Sequence, residues 1–77
     1  MPHVIIKMYT GRTEEMKRNL TDEVTKAVIK SLGVNESSVS VALEEIEPEN
    51  WNEAVYKPDI LGKANLLYKK PGYTPQT

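Results

Sequence analysis

The sequence predicts an α/β (α+β) fold, a single βαβ subunit with two parallel strands, and three observations support it. A run rich in Val, Ile and Tyr lies at residues 3–9, an amphipathic stretch follows to Leu32 and Gly33, and a second β-prone run covers Val39 to Ile46. Strand, long helix, strand in this order requires a crossover, which is right-handed in nearly all cases. One long helix and short C-terminal helices would complete the subunit.

In the first strand, Val4, Ile6 and Met8 share one face, and His3, Ile5, Lys7 and Tyr9 share the other. Thr10-Gly11-Arg12 is a turn, and Thr13 is the expected N-cap. Glu14 and Glu15 follow in the first helical turn, where the helix dipole favours negative charge. Met16, Leu20, Val24, Ala27, Val28 and Leu32 recur at mostly helical spacings and make the expected apolar stripe. Gly33 comes directly after, the usual left-handed stop. Residues 34–38 are a polar connection. The second strand places Val39, Val41 and Leu43 on one face and Ser40, Ala42 and Glu44 on the other.

Past Pro48 the pattern loosens. A short helix is expected from Pro48 to Val55, and Pro58 is expected to open another carrying Ile60, Leu61, Leu66 and Leu67. Pro71-Gly72-Tyr73 reads as a turn. The expected organisation is one domain over residues 1–77, with a βαβ core at 2–46 and a C-terminal extension at 47–77.

A chain of 77 residues buries a small fraction of its surface and usually needs a staple or a partner. Cysteine is absent and His3 is the only histidine, so disulfides, thiolate sites and the usual zinc ligand sets are excluded. A homodimer is therefore expected. One helix covers one face of a two-stranded sheet, and the other face, with Ile5, Tyr9, Ser40 and Ala42, calls for a second copy. Net charge is −1, and the sequence lacks the basic stripe of a nucleic-acid binder. No apolar run approaches the roughly 20 residues of a membrane span. A cytoplasmic protein without metal or organic cofactor is the expectation.

Pro2 is the first residue with chemical potential. After an initiator methionine a proline is ordinarily just permissive for Met1 removal. Once exposed, however, its secondary amine is a base held by the first strand, able to move a proton beside a carbonyl. That use requires burial and a nearby cation to lower its basicity. Arg12 precedes a helix N-terminus, where a cation is mildly unfavourable. It is either a solvated loop arginine or, with the helix end, a receiver of a carboxylate. Trp51, the only tryptophan, serves as core, interface or pocket wall. Glu44, Glu45, Glu47 and Glu49 read as a solvated rim.

Met1-Pro2 before a strand, Gly11-Arg12-Thr13 with Glu15, Lys17 and Leu20, Ser38-Val39 opening a second strand, and Glu44-Glu45-Ile46 leading to Glu49-Asn50-Trp51 resemble the 4-oxalocrotonate tautomerase family. The resemblance spans about residues 2–51. It implies a keto–enol tautomerase with Pro2 as catalytic base, Arg12 binding the substrate's carboxylate or oxygen, and Trp51 lining the pocket. It also implies a small carboxylate-bearing 2-keto or enol acid as substrate. The family's second arginine falls at Ser40 here, which favours a monoacid over a dicarboxylate. The extension from Asn52 resembles a longer bacterial branch whose members are dimers. A hydratase or dehalogenase of an unsaturated acid, and a non-catalytic βαβ interaction module, are the competing functions.

Overall fold

The computed structural model describes residues 1–75 and consists of two compact units, the first running from Met1 to Glu45 and the second starting at Ile46. The first unit is the βαβ element. Strand β1 spans His3–Tyr9, helix α1 spans Glu14–Leu32, and strand β2 spans Ser40–Ile46, pairing with β1 in a two-stranded parallel sheet.

The helix ends where the sequence places them. Thr13 has extended backbone geometry, and its hydroxyl accepts a hydrogen bond from the Met16 amide at 3.1 Å. Gly33 sits at φ 68°, and its N–H closes the last turn on the Ile29 carbonyl at 2.9 Å.

The stripe that α1 covers is rotated from the expected one. Lys17, Leu20, Thr21, Val24, Thr25, Val28 and Ile29 are partly covered, at perfect i, i+3, i+4 spacing. Met16 and Leu32 remain 56% and 63% exposed, and Ala27 is exposed too. The two threonines escape an apolarity count because of their hydroxyls. On the helix each spends its hydroxyl on the carbonyl four residues back, Thr21 on Lys17 and Thr25 on Thr21, and so presents an apolar methyl.

Lys17 ties the helix to the sheet. Its ammonium donates to Glu45 on β2 at 2.5 Å and pairs with Glu14 one turn back at 2.9 Å. The Glu45 hydrogen bond, then the Glu14 one, holds the Lys17 pKa above the ordinary lysine value. The Lys17 hydrogen bond holds the Glu14 pKa below the ordinary carboxylate value. The raised lysine stabilises the fold fully below the ordinary lysine range, and this is lost as pH rises through its raised folded value. The lowered glutamate contributes fully above the ordinary carboxylate range, and this is lost as pH falls through its lowered folded value. Lys17→Met therefore lowers Tm most near neutral pH, with a deficit that shrinks on acidification and in high salt. Thermal melts over pH and salt check this, and a deficit independent of both assigns Lys17 a packing role only.

The C-terminal unit departs from expectation. A short 3₁₀ turn covers Pro48–Asn50, a π-helix runs through Asn52–Leu61, and a second 3₁₀ turn covers Ala64–Leu66. Pro58 does not open a helix but lies inside the π-helix. The wider i→i+5 winding, seen directly in the Gly62 N–H bond to the Lys57 carbonyl at 2.8 Å, accommodates a ring that an α-helix interior rejects. Val55 and Tyr56 on this helix are the most buried residues described, at 5% and 7% exposure. No described helix is long and apolar enough to cross a membrane.

Candidate active site

Pro2 stands at the head of β1 and is half-buried, while Met1 before it is fully exposed. The first ladder contact fixes its position, because the Ser40 N–H donates to the Pro2 carbonyl at 3.2 Å. Next to it, His3 Nδ1 and the Ser40 hydroxyl are hydrogen-bonded at 2.6 Å, the proton lying on either atom according to the imidazole tautomer. Ser40 thus grips both residues at the start of β1, one through its backbone and one through its side chain.

Arg12 is placed by the turn after β1. Gly11 has φ 112°, a conformation that L side chains rarely adopt, and this swings the chain so that an Arg12 Nη donates to the Tyr9 carbonyl at 3.1 Å. The guanidinium is exposed just before the N-terminus of α1. An anion docked there meets both the fork and the helix end.

The structure does not bring Pro2 and Arg12 together within one chain. They flank a seven-residue strand, and seven steps from Pro2 to Tyr9 amount to roughly 23 Å. A side chain spans only a fraction of that distance. Sequence reading places both residues in one pocket because spacing along a strand does not show which chain answers which. A small carboxylic acid touched by both residues has to lie between two copies.

Trp51 belongs to the C-terminal unit, directly before the π-helix. Its indole N–H donates to the Tyr73 hydroxyl at 2.9 Å, and the Tyr73 ring packs on Tyr56 with centroids 5.6 Å apart and planes tilted by 55°. Tyr73, read from sequence only as part of a turn, is therefore what orients the single tryptophan. Because Trp51 is the only tryptophan, its emission reports its own surroundings, this contact among them. Tyr73→Phe removes the hydroxyl and keeps the ring, so the expected result is a shifted Trp51 emission with little change in Tm. An unchanged spectrum shows that the bond does not hold the indole in solution.

Among the described residues no group of three or more His, Cys, Asp or Glu is arranged to hold a metal ion. Two depressions among the described residues lie beside α1 and β2, one lined by Glu14, Lys17, Arg18, Leu43 and Glu45 among others. None of Pro2, Arg12 or Trp51 lines it.

Comparison with known proteins identifies the frame. The family described as "Tautomerase enzyme" matches residues 2–55. The tautomerase PptA of Klebsiella pneumoniae is 43% identical over 75 residues, covering 96% of this chain and 99% of the relative. Among solved structures, YwhB, a homologue of 4-oxalocrotonate tautomerase, is 46% identical with a TM-score of 0.59, covering 60% of this chain and 75% of that one. A structure of trans-3-chloroacrylic acid dehalogenase shares the fold at 24% identity, with a TM-score of 0.62 over 64% of this chain and 92% of that one. The chain belongs to the tautomerase enzyme family, and its chemistry is of the tautomerase, isomerase type.

Proposed function

We propose that the chain is a keto–enol tautomerase acting on a 2-hydroxy-dienoate or enolpyruvate-type 2-keto acid, with the Pro2 amine as the proton-shuttling base. The observation that carries this reading is Pro2 itself, pinned by its carbonyl to Ser40 at the head of β1 in a member of the tautomerase family. With Met1 removed, the proline nitrogen is a secondary amine that takes the proton from the enol hydroxyl or from the carbon beside the carbonyl. It returns that proton at the other end of the conjugated system. Arg12, from a second copy, receives the carboxylate or the oxygen on which negative charge grows. Trp51 walls the apolar side, where exclusion of water lowers the basicity of the amine.

The working unit in this reading is a homodimer. Two features support it: the separation of Pro2 from Arg12, and the uncovered sheet face where Ile5 is 54% and Tyr9 44% exposed. No metal or cofactor enters the proton transfer.

Ser40 supplies no cation, so the preferred substrate carries one carboxylate. The test offers the processed protein matched mono- and dicarboxylate enol acids and follows ketonisation by ultraviolet absorbance. The wild type is expected to favour the monoacid. Ser40→Arg is expected to raise the ratio of kcat/KM for diacid over monoacid about tenfold, the value of one charge-assisted contact. The ratio cancels any loss common to both substrates. An unmoved ratio removes position 40 from substrate recognition.

A further inference from the structure

We propose that Ser40 and His3 are positioning residues that hold the strand end and the axis about which the Pro2 amine turns, a role that rests on the reading of Pro2 as the base. In the processed chain the nitrogen is locked in the pyrrolidine ring, so a single backbone rotation, ψ of Pro2, swings the whole ring relative to the sheet. Whatever holds the peptide plane between Pro2 and His3 fixes the axis of that rotation, and with it where the amine can sit. Ser40 holds one end of that plane, its N–H on the Pro2 carbonyl at 3.2 Å. The next residue is held as well, since the Ser40 hydroxyl is bonded to His3 Nδ1 at 2.6 Å.

Both bonds start from one residue at the first position of β2, so the two strands are stapled at the end where the amine sits. A free strand end ordinarily frays, because its last ladder bond is the least supported. The side-chain bond counters that by giving the terminal pair a second, non-backbone link. His3 is exposed, and among the described residues the structure gives its ring no bond other than the one to Ser40. Within the chain, holding β1 to Ser40 is what the imidazole does. Substrate recognition at position 40 and orientation of the amine are separable, because the first depends on charge and the second on the hydroxyl.

The experiment uses the full chain with Met1 removal confirmed by intact mass and with isotope-labelled proline. Ser40→Ala, His3→Ala, the double variant and Ser40→Thr are compared by NMR titration of the Pro2 nitrogen and by steady-state kinetics on a monocarboxylate enol acid. The expected result is that each single variant moves the Pro2 titration in the same direction by about half a pH unit and lowers kcat about five- to tenfold. KM should stay within about twofold, and the double variant should be no worse than either single one, as for two members of one contact. Ser40→Thr, which keeps a hydroxyl, should restore both titration and kcat.

Single variants that leave the titration and kcat unchanged overturn the proposal, and so do losses that multiply in the double variant. Failure of the base reading looks different. In that case the processed wild type shows no tautomerisation of any enol acid, while the titration arm still decides whether the Ser40–His3 bond governs the amine.

Discussion

Keeping Met1 on the chain is expected to lower kcat/KM about 10²- to 10⁴-fold, the span a positioned general base contributes. The reason is covalent rather than steric. With Met1 attached the Pro2 nitrogen is a tertiary amide, its lone pair is delocalised into the carbonyl, and no base remains. Met1 is fully exposed in the structure, so the fold does not bury the bond that has to be cut. The processed and unprocessed forms share every other contact, so their Tm values should nearly coincide while their activities diverge. The pH profile adds a second constraint. A neutral amine working as base loses activity as pH falls through its pKa, whereas a protonated proline serving a hydratase or dehalogenase loses activity as pH rises. Equal activity of the two forms ends the proline mechanism. A profile that falls toward alkaline pH redirects it to the acid chemistry.

The βαβ frame was legible in the residues because each boundary has a local chemical cause. Thr13 offers a hydroxyl to an orphan amide, Gly33 accepts a left-handed turn, and the Val/Ile runs suit a half-covered strand. What escaped was non-local or depended on a choice between windings. Thr21 and Thr25 join the covered stripe only once their hydroxyls are spent on the helix itself. Pro58 marks a helix start by the ordinary rule, and only the π-winding of Asn52–Leu61 lets it sit inside. At the site, Pro2 and Arg12 stand out because each is chemically misplaced for a purely structural role. Ser40 stands out only as the position of the family's second arginine; its bond to His3, 37 positions away, depends on strand register. The pairing of Trp51 with Tyr73 is non-local too, with 22 positions and no shared strand between them.

Removing Arg12 is the other change with a large expected effect. Arg12→Ala should cost about 2–4 kcal/mol of transition-state stabilisation, or roughly 30- to 10³-fold in kcat, if its guanidinium meets charge that grows during proton transfer. Arg12→Lys should recover only part of this, because an ammonium supplies the charge without the planar two-pronged fork. Stability should not follow activity. Arg12 is exposed and lies before a helix N-terminus, where losing a cation relieves a mild repulsion. Its bond to the Tyr9 carbonyl, once lost, leaves an acceptor that water can satisfy. The decisive form of the experiment exploits the roughly 23 Å that seven strand steps put between Pro2 and Tyr9, with Arg12 beyond them. If each site takes Pro2 from one chain and Arg12 from its partner, two inactive variants complement each other. Co-refolding an Arg12→Ala chain with a chain whose Pro2 nitrogen is blocked makes half of the dimers mixed. Each mixed dimer holds one intact site out of two, so about a quarter of wild-type activity should return. Activity that stays at the level of the separate variants means that no site is shared. The length of β1 then excludes Arg12 from the chemistry at Pro2.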